Sequence, residues 1–161
     1  MNGFDIEERV ERAVKNFMSG YNCAQSVFLA YSDLFGLDME IAKSVSVSFG
    51  GGMGCLREVC GAVSGMFMVT GMLYGYDDPK APEEKKEHYG KIQELAAKFK
   101  EQNGSIVCRE LLGLDGGANR QTPELRTAEY YKKRPCKELV GMAAEILEAE
   151  MLEWDKANEG K

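Results

Sequence analysis

The stretch VCGAVSGMFMVTGMLYGY, residues 59–76, contains no charged side chain, and how it is read decides the fold. A run of this length is about long enough to span a bilayer, which takes roughly 20 apolar residues. Yet Gly61, Gly65, Gly71 and Gly75, with Ser64 and Thr70, dilute its hydrophobicity, and only residues 66–73 are densely apolar. A helix that is apolar on all sides but unsuited to lipid is buried by its neighbours. The stretch therefore predicts a central helix over residues 58–74, wrapped by amphipathic ones. Gly61 and Gly65 are four residues apart and share one face of that helix. Lacking a Cβ, they let another helix or a ligand come close.

Outward from this helix the signals are nearly all helical. On its N-terminal side, Gly50, Gly51, Gly52 and Gly54 can carry a sharp turn. A phosphate loop is a poor reading of these glycines, because neither the Lys-Ser/Thr ending nor a preceding strand is present. Ile6, Val10, Ala13, Val14 and Phe17 mark one helical face, ended by Gly20. Asn22 and Gln25 form a capping-box pair, opening a helix with Ala24, Val27, Phe28, Tyr31, Leu34 and Phe35 that runs to Gly36. Asp38 caps a third helix bearing Ile41, Ala42, Val45 and Phe49, although the alternation Val45-Ser-Val47-Ser is locally strand-like.

On the C-terminal side, YGYDDPKAPEE, residues 74–84, is a loop. Pro82 suits the first turn of a helix that turns Tyr89, Ile92, Leu95, Ala96 and Phe99 inward and ends at Asn103-Gly104. Ser105 is expected to cap a short helix closed by Gly113. A polar loop, residues 114–123, follows, and Thr122 and Pro123 can start another short helix. Pro135 opens the last long helix, with Leu139, Val140, Ala143, Ile146, Leu147 and Leu152 along its apolar stripe. The expected architecture is an all-α, single-domain helical bundle over residues 1–161 with a buried, glycine-rich central helix. The chain length suits one hydrophobic core.

Apolar residues make up 44% and charged residues 29% of the chain, as in ordinary globular proteins, and the net charge is −6. An acidic balance argues against nucleic acid as the partner. The opening residues MNGFDIEERVERAVKN lack the apolar core of a secretory signal. A cytoplasmic protein, not bound to membrane, is the expectation. In a reducing compartment an odd set of five cysteines reads as metal ligands, catalytic thiols or small buried residues, not as a disulfide framework.

The cysteines fall at helix starts. Cys23 follows the cap Asn22, Cys60 lies in the first turn of the central helix, Cys108 is three residues after Ser105, and Cys136 follows Pro135. A helix N-terminus has unpaired N–H donors and partial positive charge. Both favour the thiolate, the form that attacks disulfides and binds metals. Arg57, Arg109 and Lys132-Lys133-Arg134 add positive potential, and Glu58 and Glu110 offset part of it. Any single cysteine also packs well as a small apolar residue.

These residues resemble the C_GCAxxG_C_C family, whose members are described as redox-active. That family is defined by a cysteine, a Cys-Gly-Ala-x-x-Gly motif and two further cysteines. Cys23 matches the first, CGAVSG at residues 60–65 the motif, and Cys108 and Cys136 the last two. The likeness covers residues 22–147, and Cys55 is an addition to the pattern. The resemblance implies redox activity without a substrate.

Two chemistries use the same residues. In a thiol–disulfide protein, Cys60 is the candidate nucleophile and Cys23, Cys108 or Cys136 its resolving partner. In the alternative, Cys23, Cys60, Cys108 and Cys136 hold zinc or an iron–sulfur cluster for electron transfer. A helical scaffold with inert thiols is the third reading. The expected partners are a redox partner and, as an open alternative, a second copy of the chain. His88, the one histidine, reads as a solvated surface residue, and no Cys-x-x-Cys-His for haem attachment is present. ERVER and PEEKKE read as solvated faces, the methionines as core filling, and Trp154 as an anchor for the last helix.

Overall fold

A computed structural model describes residues 6–114 and 123–161. The uncharged stretch forms α5 (Gly61–Tyr74), with Gly61, Ala62, Val63, Ser64, Gly65, Met66, Val69 and Thr70 buried. It packs on α2 (Cys23–Leu29), where Ala24, Gln25, Ser26, Val27, Phe28 and Leu29 are buried. Glycine sets the spacing of this pair. A Cβ on Gly65 would sit 2.8 Å from Val27 Cβ and 3.0 Å from the Ala24 carbonyl oxygen, and one on Gly61 would sit 2.9 Å from Cys23 Cβ. The shared glycine face is therefore the seat of α2.

Around this pair, α1 (Ile6–Met18) packs on both α2 and α9 (Cys136–Asn158), and α6 (Pro82–Asn103) packs on α5 and α9. Phe17, Phe28, Tyr31, Met66, Leu95, Phe99, Leu147 and Met151 fill the space between them. Trp154 is buried edge-on against Tyr74, with ring centroids 5.2 Å apart, and so anchors α9. Among the described residues there is no strand, and no helix is long and apolar enough to cross a membrane. The protein is all-α, as its periodicity predicts.

The expected stop and start signals operate at several ends. Asn22 and Gln25 make a reciprocal capping box, Asp38 accepts from the Glu40 and Ile41 N–H groups of α3 (Met39–Ser46), and Pro82 opens α6. Left-handed Gly20 (φ 106°) and Gly104 (φ 84°) follow α1 and α6. Elsewhere tertiary contacts override the local pattern. The second helix ends at Leu29, short of Gly36, because Arg9 Nη1 donates to the Ala30 carbonyl at 2.7 Å and so takes an acceptor at the helix end. A 3₁₀ turn, Ser32–Leu34, follows. Arg9 itself is buried in the ERVER segment expected to be solvated, with Nη2 3.0 Å from Asp33 Oδ2. On α3 only Ala42 and Ser46 are buried, while Ile41 and Val45 face outward, and Val47 enters a 3₁₀ turn instead of a strand.

Two boundaries fall later than expected. α7 (Cys108–Leu111) is preceded by Val107 as its cap, while Ser105 Oγ accepts from the Val107 N–H at 2.9 Å and donates to Glu110. α8 (Ala128–Lys133) begins after Thr127, whose Oγ1 accepts from the Tyr130 N–H. Pro123 is not helical, and Thr122 and most of the polar loop lie outside the described residues. His88 is half-buried, and its Nδ1–H donates to the Tyr74 carbonyl at 3.2 Å, so it is not a freely solvated residue. Met66 and Met151 are core residues, whereas Met18, Met39, Met53 and Met72 are exposed.

Candidate thiol site at the glycine turn

The glycine run builds a turn of unusual hand. The short segment α4 (Gly50–Met53) contains Gly51 (φ 68°, ψ 27°) and Gly52 (φ 67°, ψ 55°), and the positive φ values continue through Met53 (67°), Gly54 (58°) and Cys55 (65°), returning at Arg57 (60°). These lie near the left-handed helical conformation, which costs an L-residue with a side chain about 1–2 kcal/mol. Glycine avoids that cost at the positions where space is also tightest. A Cβ on Gly52 would lie 2.6 Å from Cys108 Cβ and 2.9 Å from Arg57 Cα. The turn is held by Arg57 N–H to the Gly51 carbonyl (3.2 Å) and Glu58 N–H to the Gly52 carbonyl (2.9 Å).

The turn delivers Arg57 into the interior, where it is 8% exposed. The chain then runs briefly antiparallel to the segment before α7. Val59 and Val107 form an isolated bridge, with Cys60 N–H on the Ile106 carbonyl at 2.8 Å and Cys108 N–H on the Glu58 carbonyl at 2.6 Å. This pairing consumes residues 58–60 and delays the start of α5. Cys60 is therefore the N-cap of α5, one position before the first turn in which the sequence places it. Cys23, Cys108 and Cys136 are the first residues of α2, α7 and α9.

The thiols differ sharply in environment. Cys23 and Cys136 face the same cleft and shift each other's ionisation. The neighbouring Cys23 thiol is the main cause that lowers the Cys136 pKa to about 7; burial opposes it, and Arg134, Arg126 and Arg57 add to the lowering. Cys23 moves the other way, well above the ordinary thiol value, through its Cys136 neighbour and its desolvation. The two share one easily lost proton and titrate as a pair. Burial pushes Cys60 up to about 12, although the Ala62 and Val63 N–H groups pull it down. Cys108 is also raised by burial, against the Arg57 guanidinium, whose Nη1 lies 3.8 Å from its sulfur. Cys136 is thus drawn toward the thiolate, whereas the helix-end N–H groups at Cys60, expected from the sequence to favour its thiolate, do not offset its desolvation.

Cys23, Cys55 and Cys136 line a cleft of about 400 Å³, whereas Cys60 and Cys108 are buried and not among its lining residues. Arg57, Arg126 and Arg134 line the same cleft, with Glu124 the one carboxylate among the described residues that line it. Arg126 donates to the Phe17 and Tyr21 carbonyls at 3.1 and 3.0 Å and lies 4.2 Å from the Phe17 ring centroid. It thereby ties its segment to the end of α1 and the turn that follows it. Arg134 pairs with Glu124 at 2.7 Å. Other expected cations are engaged elsewhere: Arg109 pairs with Glu58 at 3.1 Å, and Lys133 with Glu129 at 3.2 Å. Arg126 was not legible as a site residue, since its contacts are with Phe17 and Tyr21, far away in the sequence. Among the described residues, no three of the His, Cys, Asp and Glu side chains are grouped to hold a metal ion.

The model of the family described as "Putative redox-active protein (C_GCAxxG_C_C)" matches residues 21–150. The chain belongs to the C_GCAxxG_C_C family. The matched region includes Cys23, the CGAVSG motif, Cys108 and Cys136. No curated protein and no solved structure matches the chain. In this C_GCAxxG_C_C protein the motif has two visible tasks. Its glycines seat α5 on α2 at the level of Cys23, and its cysteine ends the antiparallel bridge that fixes Cys108. A low-pKa sulfur with a second thiol beside it can attack a disulfide and then be displaced by its neighbour.

Proposed function

We propose that the protein is a thiol–disulfide redox protein in which Cys136 is the attacking thiolate and Cys23 the resolving thiol. The observation that carries this reading is that Cys23 and Cys136 line one cleft together with three guanidinium groups that favour negative charge. The Cys136 thiolate attacks one sulfur of a disulfide, forming a mixed disulfide and expelling the other half as a thiolate. Cys23 sulfur then attacks the Cys136 sulfur. The intramolecular disulfide closes, the second half leaves as a thiolate, and the Cys23 proton passes to it. The substrate disulfide gains two electrons and the dithiol loses two. Placing Cys136 at the start of the 23-residue helix α9 adds helix-end stabilisation to its thiolate.

A zinc ion or an iron–sulfur cluster fits these residues poorly. Its proposed ligands would be Cys23, Cys60, Cys108 and Cys136, but no three donors converge among the described residues. The guanidinium groups beside Cys136 also repel a cation. Oxidation of the reduced protein with a small disulfide, followed by peptide mapping without reductant, tests the redox reading. A peptide pair joined through Cys23 and Cys136 is the expected product. Cys23→Ser is expected to trap the mixed disulfide on Cys136. Disulfides through any other pair, or none, would overturn the assignment.

A further inference from the structure

We infer that the cleft beside Cys136 is an anion-recognition site, and that the protein's substrate is a small disulfide bearing carboxylate groups, bound through Arg57 and Arg134. This rests on the thiol–disulfide reading above. The deciding residue is Arg57. It is 8% exposed, its Nε is buried without a hydrogen-bond partner, and no carboxylate is paired with it among the described residues. A buried guanidinium left unpaired is costly. Its one side-chain contact to another polar group is Nη1 to the Cys108 sulfur at 3.8 Å, which does not neutralise the charge of a protonated thiol.

Arg57 lines the cleft and is aimed there by construction. Its left-handed backbone turns the side chain inward, and Gly51 leaves room beside it, since a Cβ there would lie 3.8 Å from Arg57 Nη1 and 2.9 Å from Cys55 Sγ. The rest of the lining agrees in sign. Among the described residues three arginines face one carboxylate, and that carboxylate, Glu124, is held by Arg134. When Cys136 is a thiolate, the cleft still carries excess positive charge. Guanidinium groups match carboxylates in geometry as well as charge. The cleft volume, about 400 Å³, lies in the range of small-molecule sites, roughly 300–1,000 Å³.

The bound disulfide would place one sulfur at Cys136, with a carboxylate on Arg57. The exchange follows the steps given above, and both halves leave as small thiols that keep their carboxylates. No oxidant beyond the substrate is needed.

The test uses the full reduced chain and three alkyl disulfides: dithiodipropionate with two carboxylates, neutral bis(2-hydroxyethyl) disulfide, and cystamine with two ammonium groups. Rates of Cys136 oxidation at about pH 8 are divided by those of a free alkyl thiol, which removes intrinsic reactivity. The dianion is expected to exceed the neutral compound by about tenfold or more, with the dication slowest. Suberate, the same dicarboxylate chain with the disulfide replaced by two methylenes, is expected to compete. Arg57→Gln and Arg134→Gln should each reduce the dianion-to-neutral ratio several-fold. If either variant fails to fold, the charge series and suberate competition in the unmodified protein still decide the matter. Equal normalised rates for all three disulfides would overturn the anion site while leaving the thiol chemistry standing. Failure of every disulfide to oxidise Cys136 would overturn the thiol reading itself.

Discussion

Replacing Gly65 with alanine tests how the central helix positions Cys23. Alanine in place of glycine inside a helix gains about 1 kcal/mol in propensity. At Gly65 the new methyl would meet Val27 Cβ at 2.8 Å and the Ala24 carbonyl oxygen at 3.0 Å, and the second of these is backbone that cannot rotate away. Such overpacking costs about 1–3 kcal/mol. The net effect runs from near neutral to about 2 kcal/mol destabilising, so a single variant is ambiguous. Gly71 supplies the control. It lies on the same helix, is exposed, and has nothing within 4 Å of its Cβ position. Gly71→Ala keeps the propensity gain without the clash, so the difference between the two variants isolates about 1–3 kcal/mol of steric cost. For a chain of 161 residues each kcal/mol shifts Tm by about 2–4 °C. Gly65→Ala should therefore melt about 2–12 °C below Gly71→Ala. Equal melting temperatures for the pair would refute the close seating of α5 on α2.

Three further outcomes follow from the same geometry. Cys23→Ala removes the neighbouring thiol that does most to lower Cys136 and should raise the Cys136 titration midpoint above about 7, read from ultraviolet thiolate absorbance against pH. Gly52→Ala combines a left-handed backbone with a Cβ 2.6 Å from Cys108 Cβ, and should lower stability in urea melts by about 2–4 kcal/mol. The Arg9–Asp33 pair holds the Asp33 carboxyl below its usual value. Its contribution is thus present above the unfolded carboxylate pKa, about 4, and is lost as pH falls through the lower folded value. Arg9→Ala should weaken the protein by about 1–3 kcal/mol near neutrality through the unpaired Ala30 carbonyl, and flatten that acid-side loss.

The bundle was legible because its signals are local. The uncharged stretch, the Asn22–Gln25 box, Asp38, Pro82 and Gly104 each act within a few residues, and each marks an element edge in the structure. The early end of α2 was not legible, because its cause is a guanidinium from α1. The delayed start of α5 likewise comes from pairing with residues 106–108, far along the chain. The same limit governs the site. Helix-start signals put Cys23, Cys108 and Cys136 in the first turns of their helices, and each is the first helical residue, but the ranking among thiols depends on burial and on which arginines converge. Cys60 has the motif, the glycines and the helix end, yet desolvation dominates. Arg126 reaches the cleft through contacts with the Phe17 and Tyr21 carbonyls, more than a hundred residues earlier in the chain. The left-handed run beyond the glycines, at Met53, Cys55 and Arg57, has no sequence signature, since these residue types seldom adopt it.

Alkylation of the reduced protein by iodoacetamide, followed by peptide mass mapping from about pH 5 to pH 10, tests the assignment of Cys136 most directly. The thiolate is the reacting form, so the Cys136 rate should rise with pH through a midpoint of about 7 and level off above it. Cys60, buried and pushed up to about 12, should stay unmodified across the range in folded protein. A Cys60 that alkylates first, or a Cys136 midpoint at or above the ordinary thiol value of about 8.5, would contradict the account.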